Sequence, residues 1–293
     1  MEFDLDKLKK RPSYPFETIA VGLAFSPSME FVIGEAKKIA DICNSKLIFI
    51  HVGGKTQEKE KVLDDIFFKT NIEPKKVRTI WVEGEVVDSF LKLCKQNIID
   101  LLILGAQERE NFLKYYLGSI ARRLCRKAKC SVLLLTTSAK HLTCKKIIVN
   151  ARIDHQKTVH TINTALYFAK KMSAKEVSIV HEMHAPALAM AMADSSSAPE
   201  MTKIKKDFSE EESNKLHSII SKCETGNLKI TEKIVKGKPG YAIRQYAETK
   251  KADLLVINSP DTHLTVLDRI FTHDIEYILA DLPCNLLIVH SRI

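Results

Sequence analysis

At 293 residues the chain is long enough for two domains of ordinary size, and its 45% hydrophobic and 28% charged content is that of a soluble globular protein. The net charge of +9 is moderate, no apolar run approaches the roughly 20 residues that span a bilayer, and the opening MEFDLDKLKK lacks the apolar stretch of a secretory signal. The seven cysteines are scattered, odd in number and without a CxxC pair, which disfavours a disulfide framework or zinc site and points to reduced thiols in a cytoplasmic protein.

In chain order, Thr18 to Phe25 (TIAVGLAF) is an apolar run that predicts a buried strand. Ser26 to Ser28 offers a helix start, and Val32, Ala36, Ile39 and Cys43 make a helical stripe that closes at Asn44. KLIFIHV from Lys46 predicts the next strand, a helix follows over about Glu58 to Lys69, and VRTIWV from Val77 predicts a third strand. Gly84 breaks that strand, and Val86, Val87, Phe90, Leu91 and Cys94 mark another helix. DLLILG from Asp100 is a fourth strand, followed by a polar loop, a basic helix and the strand SVLLLTT. The basic stretch RRLCRKAKC, Arg122 to Cys130, lacks interleaved aromatics. It reads as a solvated helix face; nucleic acid is disfavoured, and an acidic partner or membrane surface stays open as an alternative.

The pattern then restarts. KIIVNARI from Lys146, a helix over Val159 to Lys171 and a strand from Glu176 to His181 repeat the opening. The segment His184 to Met201, rich in Ala, Met and Ser, is expected to be a loop leading into a helix from about Phe208. Ile230 to Val235 with Gly237 and Gly240 repeats the third strand and its break. The final third of each copy is the clearest repeat. Asp100 and Asp253 lie 153 residues apart, and Cys130 and Cys284 lie 154 apart, so one residue has been added between the anchors. A repeat of this length is a whole domain. Strands this apolar have no wet face and belong in a parallel sheet covered by helices on both sides. The expected division is one domain over residues 1–140 and a second over 145–293.

The segment that carries chemistry is Gly105-x2-Glu108-x9-Gly118-Ser119, directly after a buried strand and opening a helix. Gly105 lets the chain turn, Gly118 lets backbone approach a ligand, and Ser119 is expected to cap the helix, whose free N–H groups favour an anion. Ligands also sit beyond the carboxyl ends of parallel strands. The alternative is that these glycines merely build the turn and helix start.

With VGLAFSPS, LIFIHV, WVEGEV, LGSIARRL and KCSVLLL in this order, the chain resembles the universal stress protein family in its tandem two-domain form. The resemblance implies an α/β fold in which each domain is a five-stranded, mainly parallel sheet. It implies Gly-x2-Gly-x9-Gly-Ser/Thr as a site for ATP or ADP, with an Asp near the end of the first strand touching the adenosine. Carried onto this chain, the first-domain site comprises Leu23, Val52, Gly105, Arg109, Gly118, Ser119 and Ile120, the base lying near Leu23 and Val52. The family's habit of pairing through last strands implies an intramolecular pseudo-dimer in which SVLLLTT meets NLLIVHS.

Two positions depart from the motif. Glu108 stands in place of the middle glycine, and a carboxylate near a phosphate costs about 1 to 4 kcal/mol; either the neighbouring Arg109 offsets this or Glu108 points to solvent. Ala24 stands in place of the Asp. In the second copy, Asn258-x2-Asp261-x10-Thr272-His273 replaces all three glycines and Arg152 takes the Asp position, so nucleotide is expected in the first domain only. Arg152 is left to meet either an anion or a salt-bridge partner. His181-Glu182-Met183-His184 falls short of the HExxH spacing and follows a strand, so no metal is expected. His51 and His181 read as equivalent structural histidines at strand ends. The resulting expectation is a cytoplasmic, stress-associated regulatory protein that binds adenine nucleotide and a protein partner, with at most weak ATP hydrolysis and no named catalytic residue. The alternative is a scaffold that kept the fold and lost the ligand.

Overall fold

The computed structural model describes residues 12–109, 112–136, 141–153, 157–184, 192–193, 197–260 and 273–291. The first copy runs β1 (Thr18–Gly22), α1 (Met29–Cys43), β2 (Lys46–Val52), α2 (Gln57–Lys69), β3 (Arg78–Val82), α3 (Val86–Gln96) and β4 (Leu101–Gly105). It continues through β5 (Gln107–Arg109), β6 (Phe112–Tyr116), α4 (Ser119–Lys127) and β7 (Ser131–Leu135). The second copy runs β8 (Lys146–Asn150), α5 (Thr158–Lys171), β9 (Glu176–His184), α6 (Ala198–Ile220) and β10 (Ile230–Gly237), then α7 (Tyr241–Thr249), β11 (Leu254–Asn258), α8 (His273–Ala280) and β12 (Asn285–Val289).

Ten strands form one sheet in the order β10-β9-β8-β11-β12-β7-β4-β1-β2-β3. Each half therefore has the same five-strand order, with its first strand third from the outer edge. Pairing within each half is parallel throughout. The halves join through β7 and β12, which run antiparallel with Val132 opposite Ile288, Leu133 opposite Leu287 and Leu134 opposite Leu286. Asn285 fixes this seam: its side-chain oxygen accepts from the Thr136 backbone N–H at 2.9 Å, and its amide donates to the Asp253 carbonyl at 2.9 Å.

The repeated acidic residue has the same role in both halves. Asp100 accepts from the Thr18 N–H at 2.9 Å, and Asp253 accepts from the Lys146 N–H at 2.8 Å, so each carboxylate fastens the start of its first strand. Alternation along the strands then divides the core. Ile19, Val21, Leu101, Ile103, Val149 and Val256 face the layer containing α1, α2, α5 and α6. Ala20, Leu102, Leu104, Ile148 and Leu255 face the layer of α3, α4, α7 and α8. Helices on both faces explain why neither face of these strands carries a polar stripe.

Three local expectations change. The polar loop after β4 contains an antiparallel hairpin, β5 with β6, because Phe112 to Tyr116 (FLKYY) is rich in strand formers. Helix α6 begins at Ala198, ten residues before the expected Phe208. Its start is set by Ser197, whose hydroxyl accepts from the Glu200 N–H, with Pro199 in the first turn. Ser119 is the first residue of α4 and caps nothing; Gly118 is the N-cap.

Candidate functional site

Strand order reverses between β1 and β4 in the first copy, which places a crevice beyond their carboxyl ends. Gly105 closes β4 against α1: a Cβ there would meet Val32 Cγ2 at 3.0 Å and Ser28 Oγ at 3.6 Å. Packing favours glycine here, since a Cβ would press on the Val32 side chain. Gly118 is different. Its φ of −59° suits any residue, and a Cβ there would meet none of the described residues within 4 Å. Among the described residues the space over the first turn of α4 is therefore open, and no N-cap side chain takes up the backbone N–H groups there. Ser119 is exposed and Ile120 is 44% exposed at the same turn. Arg109 ends β5 opposite Phe112, and Glu108 lies opposite Tyr115; their side chains lie outside the described residues.

The basic helix is bound to its neighbours rather than simply solvated. Arg123 meets Glu85 of the α3 N-cap at 2.8 Å. Arg122 donates to the Leu117 carbonyl at 3.2 Å and lies 3.7 Å from Glu276 of α8, with Arg126 3.3 Å from the same carboxylate. The two contacts to Glu276 link the two copies on one face of the sheet.

The other side of the crevice is crowded. Leu23 is 4% exposed, and its N–H and carbonyl are held by Ile50 and His51. Val52 packs into the layer opposite to that of Leu23, so the structure does not bring these two candidates onto one surface. Ala24 is exposed. Phe25, half-buried, has φ +48° and stacks on Trp81 with centroids 5.9 Å apart. His51 stands edge-on to both rings, at 4.9 Å and 5.1 Å. The Lys59 ammonium lies 5.7 Å from the Phe25 centroid. Because His51 Nδ1 faces the Leu23 carbonyl at 2.9 Å, it carries the proton, and Nε2 accepts from Lys59 at 3.2 Å.

The second copy diverges at the same places. Asn258 ends β11 and His273 opens α8; Asp261, Thr272 and the His273 side chain lie outside the described residues. Arg152 follows β8, and its carbonyl accepts from Thr158 Oγ1 at 2.6 Å. His181 repeats His51, with Nδ1 3.0 Å from the Ala151 carbonyl, but its Nε2 meets Glu212 of α6 at 2.8 Å instead of a lysine. Glu182 points to the opposite face. Its Oε1 accepts from the N–H groups of Gly240 and Ile243 at 2.9 and 2.8 Å, and its Oε2 accepts from Asn150 at 2.9 Å. The carboxylate thereby caps α7, whose own N-cap is Gly240 with no side chain to offer. In the first copy Glu85 caps α3 itself, and the position of Glu182 is held by Val52. His181 and Glu182 of the HExH string are accounted for by these contacts to opposite layers, the His184 side chain lies outside the described residues, and among the described residues no cluster of three His, Cys, Asp or Glu is placed to hold a metal.

Sequence reasoning passed over Phe25, Trp81 and Lys59, and also the capping role of Glu182, which it read only within the HExH string. Only the last left a signal: Gly240 begins a helix without a capping side chain, so an acceptor had to come from elsewhere.

Two half-sheets of identical order, each with its own switch point and joined last strand to last strand, define a tandem, doubly wound α/β protein. The family model described as "Universal stress protein family" matches residues 53–136 and 146–290, more than two thirds of the chain. The chain belongs to the universal stress protein family. The first matched segment begins after β2, so the Ala24–Phe25 region lies outside it. A functionally unknown protein from Pseudomonas aeruginosa PAO1 shares the fold with a TM-score of 0.67 and 16% identity, over 98% of this chain and 95% of its own. A universal stress protein from Archaeoglobus fulgidus DSM 4304 does so with a TM-score of 0.59 and 14% identity, over 95% of this chain and 100% of its own. No curated protein matches the chain. Among the described residues no helix is long and apolar enough to cross a membrane.

Proposed function

We propose that this is a cytoplasmic, stress-associated regulatory protein whose first copy binds adenine nucleotide, ATP or ADP, and so changes how a protein partner docks. The observation that carries this reading is Gly118. Neither its backbone angle nor its packing among the described residues calls for glycine, yet it leaves open space among them at the start of α4. A phosphate is the natural occupant of an uncapped helix start. Family membership and the retained Gly105 and Ser119 support the same assignment. The phosphates would rest on the backbone of Gly105, Gly118, Ser119 and Ile120, with Arg109 on the hairpin that leads into α4. The reading is one of binding rather than turnover, since no nucleophile and base are paired at this crevice among the described residues.

Calorimetric titration with ATP tests it. Ser119→Asp puts a negative charge where the helix dipole welcomes it but phosphate does not, so the fold persists and binding is lost. Glu108→Gly removes a repulsion and strengthens binding. Equal affinity in the wild type and both variants would place the ligand elsewhere. A second reading, a scaffold without nucleotide, is favoured by Ala24 in place of the adenosine-directed Asp and by the filled space around Phe25. Absence of adenine nucleotide from the denatured protein by mass spectrometry, together with no binding by Glu108→Gly, would select it.

A further inference from the structure

We propose that Phe25 is a gate over the first-copy crevice: its ring occupies the place that a planar ligand ring would take against Trp81, and a nucleotide enters by displacing it. This rests on the nucleotide reading of the first copy.

The position of Phe25 argues for it. The residue lies on the loop from β1 to α1, and the same loop supplies Ser28, within 3.6 Å of where a Gly105 Cβ would stand. The loop is therefore the wall of the crevice that faces the end of β4. A ligand anchored by phosphate at α4 and extending past β1 towards β2 must cross this wall, and the Phe25 ring stands there, packed on residues of β2, β3 and α2.

The conformation argues for it as well. At φ +48° Phe25 sits in the left-handed region, where a bulky side chain is a real outlier. Such strain persists only where surrounding contacts enforce it, and it gathers at clamps and switches. Here the contacts are identifiable. Trp81 stacks on the ring at 29°, His51 stands perpendicular to it at 87°, and Lys59 lies over it. His51 is in turn locked by Leu23 and Lys59, and Lys59 by the Gly54 carbonyl at 2.9 Å. An entering flat ring would stack on the Trp81 face that Phe25 gives up, while Phe25 leaves a strained backbone angle. One stacked pair replaces another, so the exchange is balanced enough to be reversible. A bare phosphate chain has no ring to exchange and leaves the gate shut.

Trp81 is the sole tryptophan, so its emission reports the gate directly. The experiment titrates the full-length protein and its Phe25→Gly variant with ATP and with tripolyphosphate, following both heat and Trp81 fluorescence. Phe25→Asn, a residue at ease with positive φ, serves if the glycine variant melts early. The expected result is that ATP changes Trp81 emission in the wild type and tripolyphosphate does not. The open variant should bind ATP at least tenfold tighter, with tripolyphosphate affinity unchanged within twofold. If tripolyphosphate binds but the open variant gains nothing for ATP, or if saturating ATP leaves Trp81 emission unchanged, the gate is overturned while the phosphate site stands. If neither ligand binds any form, including Glu108→Gly, the nucleotide reading fails and the gate falls with it.

Discussion

Replacing Glu182 offers the most direct measure of how tertiary contact compensates for a local defect in this chain. The carboxylate is buried and, among the described contacts, accepts from Gly240 N, Ile243 N and Asn150 Nδ2 at 2.8 to 2.9 Å. Glu182→Ala leaves those three donors without it. A buried donor stranded in this way costs about 1 to 3 kcal/mol, and the lost charge at the α7 N-terminus adds about 0.3 to 2 kcal/mol. Asn150 can turn towards another partner, so a total of about 4 kcal/mol is expected rather than the full sum. Glu182→Gln behaves differently. Its oxygen still accepts from Gly240 and Ile243, and its new amide faces Asn150. The Asn150 oxygen is buried and has no partner among the described residues, so a flip of that side chain presents it to the new amide. The loss then reduces to the charge contribution, about 0.3 to 2 kcal/mol. Urea unfolding followed by circular dichroism measures both. A loss below about 1 kcal/mol for the alanine variant, or equal losses for the two, would refute the capping argument.

Three further outcomes follow from the same contacts. Burial pushes the Cys125 and Cys144 thiols up to about 12 from 9.0, so the folded state holds these protons more tightly than the unfolded chain. Their stabilisation is complete below pH 9.0 and falls as pH rises towards 12; Cys125→Ala should flatten that fall by up to about 1.4 kcal/mol per pH unit, read from urea midpoints between pH 9 and 11. Asn285→Leu removes the acceptor of a buried Thr136 N–H at the seam between the halves and should cost about 2 to 3 kcal/mol in thermal denaturation. Alanine at the two retained motif glycines should separate their roles. Gly105→Ala forces Val32 to shift, at about 1 kcal/mol. Gly118→Ala meets no described neighbour, and should leave the melting temperature unchanged while weakening ATP in calorimetry.

The sequence by itself determined the two-copy organisation and nearly every element of the main sheet. Apolar runs such as DLLILG and SVLLLT are too short for helices and too uniformly apolar for a half-wet sheet, so burial on both faces follows from composition alone. The repeated Asp100 and Asp253 were legible as markers of the repeat, and the structure showed that each fastens the start of its first strand. Single-residue roles at the crevice were not legible. Ser119 is a good capping residue by type, yet the chain enters α4 one residue earlier than that role requires. The start of α6 was written locally, in Ser197, Pro199 and Glu200, but lay hidden in a segment whose composition reads as loop.

Tertiary structure alone decided the rest, because those features depend on residues that are distant in sequence and meet only across strands. Phe25 is held by Trp81, 56 positions further on, and its positive φ leaves no trace in a string of letters. Leu23 and Val52 look like neighbours on adjacent strands, but the pleat sends them to opposite layers. His51 and His181 are the same residue at the same strand end; the helix packed over each supplies an ammonium in one copy and a carboxylate in the other. Periodicity states which face of an element is buried, whereas only packing states what lies opposite, and the chemistry of this crevice resides in what lies opposite.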